Sequence, residues 1–278
     1  MKRWMRALVL LAALLVPVWA LAQSTAVPAP GQSKKVDEIK KRGTLRVAVI
    51  GEFPWLPENT SGSGPKFSGP AWILAEEYAK RLGVKLETVP ASHETKVPIL
   101  ASGQADLTIA PLAVTEARQK VVDFVVYSKS SLCYFGLAAN PKLAKVSKLD
   151  DINRDDLTMA YFTGTPPETH LPKRFPKLKT RAVQGSGANA PVEEILSKRA
   201  DLAPIDAIAY PKLNKEVPGL KWIPAGDNCL RSNEMATPVG LALAKGDAAF
   251  HKWLTAVEKA LHKRLEDEEI RLIKLGEK

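Results

Sequence analysis

Apolar and polar positions follow two rhythms along this chain, and the switches between them mark strands followed by helices. Residues 45–50, 84–89, 132–137, 157–162, 200–205, 221–224 and 239–244 are short apolar or β-branched runs of the kind that form strands. Four-residue spacing of Leu74, Tyr78 and Leu82, with Ala75 and Ala79 beside them and Gly83 as the stop, predicts a helix over 72–82. Residues 36–42 suit a short polar helix, 97–102 another and 192–198 a third, while Phe250, Leu254, Val257 and Leu261 line one face of a closing helix. Residues 104–127 read as a buried strand, a tight turn, a short helix opening at Thr115 and a second extended run. The order implies an α/β protein with two lobes, each a mostly parallel sheet with helices on both faces, joined by two hinge strands. Small polar residues at 128–131 place the first crossing, and the strand at 239–244 makes the return. The expected division is a signal at 1–22, a flexible lead-in at 23–36, a first lobe at 37–131, a second at 132–237, and a return segment at 238–278.

Composition changes this picture at the ends. Lys2, Arg3 and Arg6 precede an apolar run over 7–16, and Ala20-Leu21-Ala22 precede Gln23, the layout of a cleavable secretory signal cut after Ala22. The mature chain is therefore expected in the periplasm, and without a cysteine after the cut it is not expected to carry a lipid there. The lead-in is rich in Pro, Gly, Ser and Ala and has no periodicity. The formal charge of +10 includes three basic residues of the signal, leaving 37 basic against 30 acidic, or +7. Acids alternate with these bases and no basic run interleaves with aromatics, so nucleic acid is not the expected partner. Cys133 and Cys229 either pair in the oxidising compartment or stand as two buried thiols, and their spacing does not decide.

Candidate chemistry gathers at the carboxyl ends of the strands, where open α/β sheets bind ligands. Arg118 falls on the first turn after Thr115, and its guanidinium can meet a carboxylate with two parallel hydrogen bonds. Phe53 and Trp55 sit in a loop with Pro54 and Pro57 directly after the first strand. Thr165 and Glu168 suit a capping box with Pro166 at the first helical position, after Gly164. The strand at 200–205 ends on Asp206, a carboxylate that needs a cation or water. His93, His170, His251 and His262 are scattered, no spacing suggests a metal or other cofactor, and no serine or cysteine has a local base for nucleophilic catalysis.

The order of elements resembles the periplasmic solute-binding proteins of amino-acid ABC transporters. The matching segments are Gly43-Thr44-Leu45-Arg46-Val47, Gly103-Gln104-Ala105-Asp106-Leu107, Thr115-Glu116-Ala117-Arg118, Val122-Asp123-Phe124, Pro238-Val239-Gly240-Leu241-Ala242 and Lys245-Gly246-Asp247. The resemblance implies a monomeric, non-enzymatic clamp for a small amino acid or related carboxylate that serves a membrane permease. It also implies that Arg118 binds the α-carboxylate, Asp206 the α-ammonium, and Phe53 stacks on the solute. Departures narrow the set. Ala110, Pro111 and Ala113 stand where hydroxyls are common, leaving the Ala113 N–H as a donor, and Gly164-Thr165-Pro166 replaces a Gly-Thr-Thr turn. Ile50 stands where binders of cationic amino acids place an acid, so a lysine, arginine or histidine solute is not expected. Secreted cyclohexadienyl dehydratases are the alternative, since Asp206-Ala207-Ile208 resembles theirs, but Ala209 stands where they carry a glutamate. The solute's side chain is expected to depend on loops 51–69, 91–96 and 184–190.

Overall fold

The computed structural model describes residues 25–184 and 190–277; the signal, its cleavage point and most of the 184–190 loop lie outside them. The chain forms α1 (Lys34–Arg42), β1 (Thr44–Val49), α2 (Pro70–Leu82), β2 (Lys85–Pro90), α3 (Pro98–Ala101), β3 (Leu107–Ala113), α4 (Glu116–Gln119) and β4 (Val122–Leu137). There follow β5 (Thr158–Phe162), α5 (Pro167–Arg174), β6 (Lys179–Val183), α6 (Ala190–Leu196), β7 (Ala203–Asp206), α7 (Tyr210–Glu216), β8 (Leu220–Ile223), β9 (Glu234–Ala244) and α8 (Ala248–Glu277). The lead-in is shorter and better anchored than its composition suggests. Ser33 caps α1 by accepting the Val36 N–H (3.0 Å), and the Thr25 carbonyl accepts from Trp253 Nε1 (3.2 Å).

The fold is the two-lobed α/β architecture, and its main sheet is mixed. The expected parallel ladder is confined to β2-β1-β3 and β5-β6, whereas β9 runs antiparallel to β3 and β4, and β4 antiparallel to β7 and β8. The cause lies in β4, a 16-residue strand where two separate runs were expected. Its first part pairs with β9 in the first lobe, and residues 132–137 pair with β7 and β8 in the second. The small polar residues at 128–131 do not break the strand; they appear as register shifts at Val126/Ser128 and Ser130/Leu132, which bend a strand without ending it. β4 and β9 thus cross between the lobes side by side.

Alternation along the strands sends side chains to separate cores. On β1, Leu45, Val47 and Val49 join a cluster with Tyr78, Trp253 and Phe250, while Ala48 joins Ile99 and Leu112 on the opposite face. On β4, Cys133 and Phe135 face Trp222 and Ala203, and Tyr134 faces Phe175 and Met159. Cys133 and Cys229 form a disulfide across 96 residues, tying the second half of β4 to the turn after β8. Among the described residues, no helix is long and apolar enough to cross a membrane.

Candidate functional site

A cavity of about 270 Å³ lies between the lobes, walled by the carboxyl ends of β1, β3, β5 and β7 and by the crossing strands. Phe53, Trp55, Ala113, Arg118, Thr165 and Asp206 all line it. The residues selected from sequence are therefore brought together, although each is held differently from the local reading.

Thr115 accepts the Arg118 N–H on its hydroxyl (3.3 Å) and starts α4. That helix is one turn of four residues, too short for a useful macrodipole, so anion affinity rests on the guanidinium itself. Nη1 donates to the Ala113 carbonyl (2.9 Å), and Nη2 reaches across the cleft to the Gly164 carbonyl (3.0 Å). Val114 donates its N–H to Pro238 on β9 (2.9 Å), so strand alternation leaves the Ala113 N–H outside that ladder.

Backbone exchange between Glu52 and Leu56 (3.0 and 2.8 Å) closes a tight turn after β1 that projects Phe53. The Phe53 ring lies 5.7 Å from Lys212 Nζ of the second lobe. Trp55 instead belongs to the first-lobe core: it is 2% exposed and donates Nε1–H to Ser128 Oγ (3.0 Å). The capping box at Thr165 does not form. Pro167 lacks an N–H, the Glu168 N–H is taken by the Thr165 carbonyl (3.1 Å), and the Thr165 hydroxyl turns back to Phe162. Glu168 instead accepts the Gly164 N–H (2.9 Å), which fixes the turn.

Asp206 ends β7 opposite Leu132 and accepts from Ser130 Oγ (2.8 Å). Burial, with the Glu52 charge adding to it, raises its pKa to about 6, against the opposing effects of Ser130 and Lys96.

Among the lining residues that the sequence does not single out are Glu52, His93 and Lys96. Lys96 is 4% exposed and donates to Pro111 O (2.9 Å) and Glu52 Oε1 (3.2 Å), joining the loops after β1 and β2 to β3. His93 stacks on Phe162 of the other lobe at 4.1 Å between ring centroids. Its Nδ1 lies 3.3 Å from Glu52 Oε1 but out of hydrogen-bonding alignment, so both buried ring nitrogens lack a partner among the described residues. Burial first, then Lys96 and Arg118, hold its pKa down at about 3, and the ring is neutral. The signal that pointed this way was the 91–96 loop as a determinant of side-chain choice; nothing local marked a buried lysine within it.

The lobes meet closely at Gly164. Its φ is +75°, and a Cβ there would stand 3.0 Å from the Glu94 Cα and the His93 carbonyl oxygen of the facing lobe. Gly164→Ala is expected to weaken solute binding about tenfold, because the new methyl opposes closure against the facing lobe, and separately to lower stability by roughly 1–2 kcal/mol through the left-handed backbone. Calorimetry checks the affinity, and a melting curve separates the local strain from loss of closure.

A clamp of two α/β lobes with charged and aromatic groups converging on the cleft is the architecture of an extracytoplasmic solute-binding protein. The chain belongs to the bacterial extracellular solute-binding proteins, family 3, which it matches over residues 45–274. It is similar to the crystal structure of an ancestral amino acid-binding protein, a precursor of cyclohexadienyl dehydratase, with 27% identity and a TM-score of 0.72 over 88% of this chain and 100% of that one. Membrane-bound lytic murein transglycosylase F of Aeromonas hydrophila is 30% identical over 174 residues, 61% of this chain and 32% of that protein. Cyclohexadienyl dehydratase of Pseudomonas aeruginosa is 26% identical over 178 residues, 64% of each chain. The match thus spans about a third of the transglycosylase and under two thirds of the dehydratase. The family is one of solute-binding proteins, and of these relatives the ancestral one is an amino acid-binding protein.

Proposed function

We propose that this chain captures a small α-amino acid or closely related carboxylate between its lobes and delivers it, in the periplasm, to the permease of an ABC transporter. One observation carries the reading. Among the described residues six charged side chains line the cavity, and four are already paired, Glu52 with Lys96 and Lys212 with Glu216. The other two, Arg118 and Asp206, have no oppositely charged partner within 4.0 Å among the described residues, and they are of opposite sign. A lone guanidinium and a lone carboxylate facing one cavity complement the carboxylate and ammonium of a zwitterion. Phe53 and the Ala113 N–H complete the grip, Thr165 lines its second-lobe side, and Trp55 holds the loop that carries Phe53. Export by the signal at 1–22 fits the family's extracellular assignment.

Calorimetric screening of the purified chain against amino acids and small carboxylates tests this. An amino acid is expected to bind, and its methyl ester and its des-amino analogue, each lacking one charge, are expected to bind more weakly. Equal affinity for all three overturns the assignment of Arg118 and Asp206.

Similarity to cyclohexadienyl dehydratase supports a second reading, an enzyme on the same scaffold. Against it, Ala209 lines the cavity at the position where the resemblance implies a glutamate acid. Turnover of prephenate or arogenate by the purified chain would replace the first reading with this one.

A further inference from the structure

We propose that the solute's side chain is uncharged and largely apolar, and that the buried Glu52–Lys96 pair enforces this choice. The proposal rests on the zwitterion reading above. Once Arg118 and Asp206 hold the α-carboxylate and α-ammonium, a charge on the side chain finds no unpaired charged partner among the described residues of the cavity. Lys96 is engaged by Glu52 (3.2 Å) and by the Pro111 carbonyl (2.9 Å), and Lys212 pairs with Glu216 one turn along α7. A third solute charge would be desolvated without compensation. The remaining wall is mostly apolar, with Phe135, Phe162, Val192, Leu213 and Met235 facing the cavity, and of its hydroxyls those of Ser130, Thr165 and Thr237 are engaged by Asp206 and by the Phe162 and Val114 carbonyls. His93 adds no charge, because its ring is held neutral. The volume of about 270 Å³ is near the lower end of small-ligand pockets.

The pair acts as a filter because each member alone would select a different solute. Lys96 without Glu52 leaves an ammonium beside the cavity and invites a second carboxylate. Glu52 without Lys96 leaves a carboxylate and invites a basic side chain. Together they cancel, and the groups that join the loops after β1 and β2 to β3 also keep that end of the cavity neutral.

Titration calorimetry on the full mature chain, with phenylalanine, leucine, methionine, glutamine, glutamate, aspartate, lysine and arginine as probes, tests the inference. The apolar neutral amino acids are expected to bind at least about tenfold more tightly than either charged class, the scale of one uncompensated charge-assisted contact. Tightest binding of an acidic or basic amino acid, or of glutamine, overturns the inference and leaves the amino-acid reading standing. Failure of every amino acid to bind overturns the reading beneath it. Glu52→Gln is expected to raise affinity for glutamate and aspartate relative to leucine about tenfold, and Lys96→Met to do the same for lysine and arginine. If either single variant fails to fold, the uncharged pair Glu52→Gln/Lys96→Met decides. It is expected to keep the neutral preference, because that end of the cavity stays uncharged, and a double variant that takes the charged classes as tightly as leucine shows that cancellation of the two charges is not what excludes them.

Discussion

Arg118→Ala is expected to weaken solute binding by about 2–5 kcal/mol, roughly 30- to 4000-fold, the usual cost of truncating one member of a desolvated charge pair. The size of the effect follows from the isolation of this guanidinium. It has no carboxylate within salt-bridge distance among the described residues, and two of its N–H groups go to backbone carbonyls of Ala113 and Gly164. A guanidinium carries five N–H donors in a planar fork, so three remain for a carboxylate. The bond to Gly164 also links the lobes, so truncation removes a solute contact and a closure contact together. Arg118→Lys keeps the charge but loses the fork, and an intermediate loss is expected. Calorimetry against the best solute from the screen measures both variants, and an unchanged affinity in Arg118→Ala sinks the carboxylate assignment. Folded stability is expected to move little, because the side chain is only half-buried and outside the cores.

The second large effect is a fall in affinity below pH 6. Asp206 must be ionised to accept an ammonium, and in the cleft its pKa stands at about 6. Below that value the solute has to expel a proton from Asp206, so affinity is expected to approach a fall of about tenfold per pH unit, or about fiftyfold between pH 6 and pH 4. His93 pushes the same way. Closed against Phe162, with Glu52, Lys96 and Arg118 around it, the ring has a pKa of about 3. Parting the lobes restores water to it and moves it toward the ordinary value of about 6.5, so between these values the parted state binds the extra proton and acid opens the clamp. For folding the sign from Asp206 is opposite. A carboxylate whose folded pKa is raised favours the native state below its unfolded pKa, and that contribution is lost as pH rises through about 6. Calorimetry from pH 4 to 7.5 separates the groups: Asp206→Asn is expected to weaken binding at neutral pH and remove most of the slope, and His93→Gln to make the slope shallower. A flat profile in the unaltered protein would rule out Asp206 as the ammonium partner.

Much of the architecture was legible in the chain alone, because a strand or helix is encoded by its own periodicity. The alternation that sends Leu45, Val47 and Val49 to one core and Ala48 to another is local, as are the four-residue spacing of α2 and the cap that Thr115 offers Arg118. The same locality located Arg118 and Asp206, since both stand at the carboxyl ends of readable strands, and the family resemblance supplied their roles. Only the tertiary structure decided how β4 crosses the lobes, because a run of small polar residues is compatible with a break or with a bent continuous strand, and pairing with β9 selects the latter. It alone joined Glu52 to Lys96 across 44 positions, stacked His93 on Phe162, and left Arg118 and Asp206 as the two unpaired charges among the described residues that line the cavity. A charge carries no local record of its partner. Which charges cancel and which remain for a solute is settled by burial and distance after the lobes have packed.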